Sequence, residues 1–262
     1  MLKGLHSFKK DTKLKQSIER GLYTKARYNY GITSNILMVA GPDLLRHLKT
    51  ARETVACFSY SQITVVDIDI NVHYEQRAKL DSYNHPQRRI PTWTSFDNIN
   101  GMFEPGHLLP IIHNTHLVFG NIEDQPPSRF IDADLMATIK NAGPTIVKTL
   151  RKQRNAFPLG TQTKGFIFTV SLRGGGGIDK NLDWVEHELL PNTGTTAKLD
   201  RTKARSLVQD QKVRRSSNGF KGVFFKEPAI VLPKDTSILH DVTLRTYNDD
   251  GGPMLTGLLL YS

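Results

Sequence analysis

The chain contains 262 residues, of which 38% are hydrophobic, 23% are charged and one is a cysteine, Cys57. A single cysteine excludes an internal disulfide and a zinc site built from several cysteines, and it indicates a protein made in a reducing compartment. The apolar stretch at residues 254–261 is too short to cross a bilayer. The length is sufficient for one large domain with a substantial core.

The formal net charge is +10, and much of it lies at the N-terminus. Residues 1–30 hold eight basic and two acidic residues, which is a net charge of +6. Such an arm is expected to bind nucleic acid by displacing counterions from phosphates, although a solvated tail or a segment that binds anionic membrane would have the same composition. We therefore assign residues 1–35 as a basic N-terminal arm, partly disordered or helical. Its predicted nucleic-acid-binding residues are Lys3, Lys9, Lys10, Lys13, Lys15, Arg20, Lys25, Arg27, Tyr28 and Tyr30, where the tyrosines could stack on bases or pack on the domain edge.

Two elements follow the arm. Gly41, Pro42 and Asp43 open a predicted helix with an apolar face that ends at Val55. Residues 60–74 predict the longest strand of the chain, because apolar and polar side chains alternate there. The apolar face holds Val66, Ile68, Ile70, Val72 and Tyr74, and the polar face holds Asp67, Asp69, Asn71 and His73. The alternation slips by one residue before Val66, which indicates a bulge or bend.

The remaining elements are mostly predicted strands, at residues 90–96, 111–120, 165–172, 220–225, 229–232, 241–247 and 254–261. Residues 131–155 have helical spacing that is interrupted by Gly143-Pro144, so their state stays ambiguous. Residues 193–218 are polar and basic and predict a long loop. Seven to nine strands without alternating helices favour an all-β fold, an antiparallel β-sandwich forming a single jelly roll with short helices in its loops.

Two groups of residues resemble a metal site or a phosphate site in composition but not in spacing. His113 and His116 lie three residues apart on a predicted strand, so they face opposite sides of it. The glycines at 174–177 are not followed by the Lys-Ser/Thr pair of a phosphate-binding loop. Neither group indicates catalysis.

A pair of aspartates is the third candidate group. Asp67 and Asp69 share one face of the predicted strand and could bind a divalent cation together with Asp97 or Asp249. They could equally pair with lysine or arginine across the sheet. Because no group has the pattern of a known catalytic centre, the sequence predicts no enzyme, no catalytic residue, no metal site and no cofactor.

The patterns of two predicted strands resemble those of a known protein family. A helix leading into residues 58–70, which read F-S-Y-S-Q-I-T-V-V-D-I-D-I, resembles the first jelly-roll strand of small viral capsid proteins. Residues 90–97, which read I-P-T-W-T-S-F-D, are similar to the second strand of these proteins. The most similar family is the capsid proteins of circular Rep-encoding single-stranded DNA viruses. The resemblance covers residues 44–100 and 220–262.

This resemblance implies a viral capsid protein that self-assembles into an icosahedral shell and packages single-stranded nucleic acid through its basic arm. It implies that residues 36–262 form a jelly-roll shell domain with a long basic loop near 193–218. The expected partners are further copies of the chain and a single-stranded genome, with no membrane. The expected location is the virion, or the host nucleus or cytoplasm during assembly. The alternative is a monomeric single-strand nucleic-acid-binding protein or viral movement protein.

Overall fold

The structure is a computed structural model that describes residues 13–30, 35–41, 44–54, 62–84, 114–158, 160, 162–172, 177–195, 198–199, 239–249 and 252–262. Its strands are β1 (Ile36–Met38), β2 (Ile63–Asp67), β3 (Thr115–Phe119), β4 (Phe130–Thr138), β5 (Lys164–Ser171), β6 (Leu239–Asp249) and β7 (Gly252–Tyr261). Its α-helices are α1 (Lys13–Tyr30), α2 (Leu44–Thr54), α3 (Ile70–Asn84), α4 (Ile139–Ala156) and α5 (Gly177–Trp184). None of the helices in these ranges is both long enough and apolar enough to cross a membrane.

All seven strands belong to one sheet in the order β3-β2-β1-β4-β5-β7-β6. Strands β1 to β5 pair in parallel, whereas β7 runs antiparallel to both of its neighbours, β5 and β6. The fold is therefore α/β, and the predicted all-β jelly roll is wrong. Parallel pairing requires crossover helices between strands, which a jelly roll does not contain.

Helices cover both faces of the sheet. On one face, α1 and α2 pack against β1, β2 and β4 through residues such as Leu22 and Leu48. On the other face, α4 and α5 pack against β4, β5 and β7 through residues such as Ile146 and Leu182. Strand β5 is buried along its whole length, which is typical of a strand covered on both sides.

The strand predicted at residues 60–74 is half strand and half helix. Strand β2 ends at Asp67, and α3 begins at Ile70. The side chain of Asp69 caps the helix, because its Oδ1 accepts a 2.9 Å hydrogen bond from the backbone N–H of Asn71. From Val72 onward the buried positions follow helical spacing, and Tyr74 is 63% exposed. The slip between Val65 and Val66 lies inside β2, where the two side chains are buried on opposite faces of the sheet and the register with β3 is continuous, so it is not a bulge.

Other local predictions agree with the structure where it is described. The helix after Gly41, the strand at 165–172 and the final hairpin correspond to α2, β5 and the β6–β7 pair. The ambiguous residues 131–155 form most of β4 and α4. The predicted strands at 90–96, 220–225 and 229–232, and most of the loop at 193–218, lie outside the described residues.

Candidate active site at the carboxyl end of the sheet

The strand order creates a crevice between β1 and β4. The chain moves from β1 to β2 and β3 on one side, and β4 and β5 lie on the other side. In open α/β sheets, ligands bind at the carboxyl ends of the strands at this reversal point. The backbone N–H of Val39 donates a 2.9 Å hydrogen bond to the carbonyl of Asp132, which fixes the two strands at the base of the crevice.

A glycine turn follows β1 at the crevice. Gly41 has a φ of 53°, a left-handed conformation that glycine adopts without steric cost. Its carbonyl accepts a 2.6 Å hydrogen bond from Nε2 of Gln76, a fully buried side chain on α3. The buried side-chain amide of Gln76 therefore holds the turn through its Nε2, while its Oε1 accepts no hydrogen bond within the described residues.

An acidic side chain ends the neighbouring strand. Asp67 is the last residue of β2 and is only 3% exposed. Its Oδ1 accepts a 2.9 Å hydrogen bond from the backbone N–H of Asp69, and its carbonyl accepts one of 3.0 Å from Gly120. These bonds fix a carboxylate at the carboxyl edge, one strand away from the crevice.

A buried polar cluster joins the two helices α1 and α2 to β4. Its members are Lys15, Glu19, Tyr23, Arg46, His47, Asp132 and Asp134, and we call it the α1–β4 cluster. The Lys15 ammonium is ion-paired and hydrogen-bonded to Asp134, and it lies 3.6 Å from Glu19 Oε1. Arg46 Nη1 donates a 2.6 Å hydrogen bond to Glu19 Oε2. Lys15 thus pairs with Asp134 and Glu19, and Arg46 pairs with Glu19, inside the protein.

Protonation in this cluster follows from burial and from neighbouring charge. Burial alone would lower the pKa of Lys15, but the carboxylates of Asp134 and Glu19 raise it above its usual value, so the side chain stays an ammonium. Burial and the nearby Asp134 raise the pKa of Asp132 to about 7. Tyr23 Oη donates a 2.7 Å hydrogen bond to Asp132 Oδ2. Burial, followed by the charge of Arg46, lowers the pKa of His47.

Three members of the cluster could in principle ligate a metal. Ligand atoms of Glu19, His47 and Asp134 lie within 4.8 Å of one another. The Lys15 ammonium, however, already contacts both carboxylates, and Arg46 contacts Glu19. A divalent cation would add two positive charges next to the buried Lys15 ammonium and the half-buried Arg46 guanidinium. The residues present therefore do not fit a metal ion.

Strand β4 is irregular where it meets the crevice. Its register with β5 shifts between Asp134 and Thr138, which marks a β-bulge. Met136 lies inside the bulge with a φ of 48°, a conformation that costs a residue with a side chain about 1–2 kcal/mol. Bulges and strained residues of this kind concentrate near functional sites, where they redirect side chains.

The predicted nucleic-acid-binding arm is largely helical where it is described. Within α1, Lys15 is buried in the α1–β4 cluster, and Lys25 forms a 2.7 Å salt bridge with Asp241. Lys13 and Arg20 are exposed. The side chains of Lys3, Lys9, Lys10, Arg27, Tyr28 and Tyr30 lie outside the described residues. The role of the arm in binding nucleic acid stays a prediction.

The predicted sharing of one face by Asp67 and Asp69 is also wrong, because they lie on different elements. Asp67 ends β2, whereas Asp69 caps α3. Asp249 ends β6, at the opposite edge of the sheet from β2 and β3, so it cannot complete a cation site with them. Asp97 and His113 lie outside the described residues. The sequence analysis considered Asp67 as a cation ligand or an ion-pair partner, predicted no metal site, and did not place it at a strand end.

No protein-family model and no curated protein matches the chain. Solved structures that resemble it include methyltransferases. The N-methyltransferase NodS of Bradyrhizobium japonicum WM9 is 5% identical with a TM-score of 0.41, over 94% of this chain and 96% of that one. The proposed methyltransferase yhhF of Escherichia coli is 10% identical with a TM-score of 0.42, over 96% and 87%. A proposed rRNA-methylase of Clostridium thermocellum is 11% identical with a TM-score of 0.38, over 92% and 95%. Similarities this low do not establish a shared activity.

The resemblance to viral capsid proteins is corrected by the observed fold. It depended on reading residues 58–70 as one jelly-roll strand, and the observed sheet is mostly parallel with helices on both faces. The capsid function and the alternative of a binding or movement protein are not supported. The expectation of a protein that is not an enzyme is also corrected, because it belonged to the jelly-roll interpretation that the α/β sheet contradicts.

Proposed function

We propose that this protein is a methyltransferase that uses S-adenosylmethionine as its methyl donor. The observation that carries the proposal is the strand order β3-β2-β1-β4-β5-β7-β6, with β7 antiparallel between β5 and β6. Rossmann-like methyltransferases share this arrangement. Because this support comes from the fold, the residues of the crevice need to fit the same ligand independently.

The crevice fits the nucleoside part of this cofactor. An acidic side chain near the carboxyl edge of such a sheet hydrogen-bonds ribose hydroxyls, and Asp67 is held there. The left-handed turn at Gly41 allows a ligand to approach the backbone closely, and Gln76 offers a buried acceptor behind it. When bound, S-adenosylmethionine would supply a methyl group on a positively charged sulfur, so that a nucleophilic atom of the substrate bonds to the methyl carbon and the sulfur leaves as the neutral thioether of S-adenosylhomocysteine.

The turn after β1 favours this nucleoside over a dinucleotide. A dinucleotide site needs the glycine pattern G-x-G-x-x-G between the first strand and its helix, so that the backbone can approach the pyrophosphate. Here the residues after Met38 read V-A-G-P-D, and Gly41 is their only glycine. The loop therefore lacks the sequence of a pyrophosphate cradle.

The test is binding of S-adenosylhomocysteine, the demethylated cofactor, measured by isothermal titration calorimetry. We expect the wild-type protein to bind it and Asp67→Asn to weaken binding by about 10–100-fold, because a carboxylate is lost from the ribose hydroxyls. Asparagine retains an oxygen that can accept the hydrogen bond from Asp69, so the strand end should be preserved.

A matched control is Asp81→Asn, which neutralises an exposed carboxylate near the other end of α3. It should leave the dissociation constant unchanged. Absence of any binding of S-adenosylmethionine or S-adenosylhomocysteine to the wild-type protein would overturn the proposal. Equal affinity of the Asp67→Asn variant would show that the cofactor is held elsewhere.

A further inference from the structure

The carboxyl edge exposes apolar side chains that the core does not use. Tyr74 is 63% exposed, Phe119 54% and Ile70 40%. The ring of His73 lies edge-on to both aromatic rings, with centroids 6.2 Å from Tyr74 and 6.0 Å from Phe119. We call Ile70, His73, Tyr74 and Phe119 the α3–β3 aromatic patch.

The patch is continuous with the candidate active site. Phe119 is the last residue of the edge strand β3, and it is the direct partner of Asp67 in the parallel register. Paired residues on adjacent strands lie about 5 Å apart. Ile70 and Tyr74 are four residues apart on α3, and exposed Arg77 continues the same helical face. Aromatic rings next to an exposed arginine form a surface on which bases can stack beside a phosphate contact.

Exposed lysines lie near the crevice at the starts of three helices. Lys13 is the first residue of α1, Lys140 the second of α4 and Lys180 the fourth of α5, and all three are exposed. The first turn of α1 lies at the carboxyl end of β4, since Lys15 reaches Asp134, while α4 and α5 follow β4 and β5. We call these three residues the lysine rim.

Two members of the lysine rim, Lys13 and Lys140, are electrostatically unfavourable for their own helices. Helix N-termini carry a partial positive charge and favour acidic residues, yet α1 and α4 have none in the first turn. Lysine side chains at these positions would be stabilised by the negative charges of a polyanionic ligand. The net charge of +10 for the whole chain has the same sign.

We propose that the methyl acceptor is single-stranded RNA, with bases stacked on the α3–β3 aromatic patch and phosphates on the lysine rim. This assignment rests on the proposed methyltransferase function and names its substrate class. RNA fits better than DNA because an open surface receives bases that are already unstacked, as in RNA loops and ends. Bases in duplex DNA would have to be flipped into an enclosing pocket.

The test is fluorescence anisotropy with a short labelled single-stranded RNA and protein saturated with S-adenosylhomocysteine. We expect Tyr74→Ala to weaken RNA binding by about 10-fold and Tyr74→Trp to retain it, because any aromatic ring can stack on a base. Lys140→Gln should weaken binding and reduce the slope of log affinity against log salt by about 0.7. Lys148→Gln, on the same helix but paired with Glu123 at 3.0 Å, is the matched control.

Several results would overturn the assignment. Unchanged RNA affinity in Tyr74→Ala and Phe119→Ala would remove the patch from the substrate site. Loss of S-adenosylhomocysteine binding in both variants, with RNA binding intact, would assign the patch to the cofactor. Equal affinity for duplex DNA of the same sequence would refute the choice of an unpaired RNA strand. Because cofactor binding is measured separately, each of these results leaves the methyltransferase proposal standing.

Discussion

The Nε2 of Gln76 on α3 donates a 2.6 Å hydrogen bond to the carbonyl oxygen of Gly41. This bond links the helix after β2 to the turn after β1, so two crossovers are tied together beneath the proposed cofactor. The bond is fully buried, and water cannot replace it without rearrangement. Gln76 therefore positions the turn and does not need to contact the ligand.

Replacing Gln76 with leucine should loosen this turn. The Gly41 carbonyl would lose a buried partner, which lowers the free energy of unfolding by about 1–3 kcal/mol. We also expect the dissociation constant for S-adenosylhomocysteine to rise about 10-fold, since a mobile turn must be ordered on binding. Urea denaturation and calorimetry measure the two effects.

The control for this prediction is Thr193→Val. The buried Thr193 Oγ1 donates a 2.7 Å hydrogen bond to the carbonyl of Leu190, in a segment that Arg154 contacts at the end of α4, and so at the edge of the sheet opposite the crevice. This variant should lose some stability and keep its affinity for S-adenosylhomocysteine. If Gln76→Leu loses only stability as well, the bond to Gly41 has no role in binding.

Residues 60–74 show most clearly how much of the fold could be predicted from the sequence. Val66, Ile68, Ile70 and Val72 alternate like a strand, but Ile70 is exposed on α3. The helix was hard to recognise because its buried face includes polar residues. Gln76 and His73 occupy positions where an apolar residue would have shown the 3.6-residue period.

The parallel sheet was hidden for related reasons. Strand β1 has only three residues, Ile36–Met38, too few to show a period. Helix α4 contains Gly143-Pro144, a pair that normally ends a helix. Its glycine is explained by packing, since a Cβ at Gly143 would lie 3.1 Å from Nε1 of Trp184. Such contacts between distant elements cannot be read from local sequence.

The candidate site was only partly predictable. Asp67 was considered as a cation ligand because of its charge, but it was not predicted to be a site residue. Lys15 was predicted to bind nucleic acid, and Glu19 was counted only as an acidic residue of the same arm. The local sequence could not show that the ion-pair partner of Lys15 is Asp134, which lies 119 positions away. Charge alone does not distinguish a buried ammonium from an exposed one.

The raised pKa of Asp132, about 7, predicts a pH dependence of stability. An unfolded aspartate titrates near 3.8, so the folded state binds the proton more tightly, and stability falls as pH rises from about 4 to about 7. The loss is at most about 4 kcal/mol. Burial and Asp134 raise this pKa, while the Tyr23 hydrogen bond, Lys15 and Arg46 oppose the rise.

Asp132→Asn should remove this dependence, because asparagine stays neutral and can still accept the hydrogen bond from Tyr23. Free energies of unfolding measured in urea between pH 4 and pH 8 should fall less for the variant than for the wild-type protein. Asp124→Asn, which alters an exposed carboxylate, should follow the wild-type curve. Parallel curves for wild type and Asp132→Asn would contradict the prediction.

Removing the cation of the α1–β4 cluster should be strongly destabilising. Lys15→Met leaves the buried carboxylate of Asp134 without its ion pair, which costs about 3–5 kcal/mol. The double variant Lys15→Met/Asp134→Leu removes both charges and should recover much of that loss. Urea denaturation of the two variants gives both values.

An exposed pair provides the comparison for Lys15. Lys79 and Glu75 form a 2.7 Å salt bridge on the surface of α3. Lys79→Met should change the free energy of unfolding by less than about 1 kcal/mol. If the double variant in the cluster is as unstable as Lys15→Met alone, the cost comes from lost packing and not from an unpaired carboxylate.

Close packing at Gly257 predicts a severe effect of one added methyl group. A Cβ at Gly257 in β7 would overlap the ring of Phe168 and lie 2.9 Å from Leu244. Phe168 cannot easily move, because it is fully buried and packs edge-on against Trp184 at 5.7 Å. Gly257→Ala should therefore lower the free energy of unfolding by about 3 kcal/mol.

The same substitution at Gly21 should have the opposite sign. Gly21 lies in α1, and a Cβ there would have no neighbour within 4 Å. Gly21→Ala should stabilise the protein by up to about 1 kcal/mol, because alanine favours helix.

A second-site variant tests the clash at Gly257. Adding Phe168→Leu to Gly257→Ala makes space for the methyl group and should restore part of the lost stability. A Gly257→Ala variant as stable as wild type in urea denaturation would mean that β5 and β7 do not approach this closely.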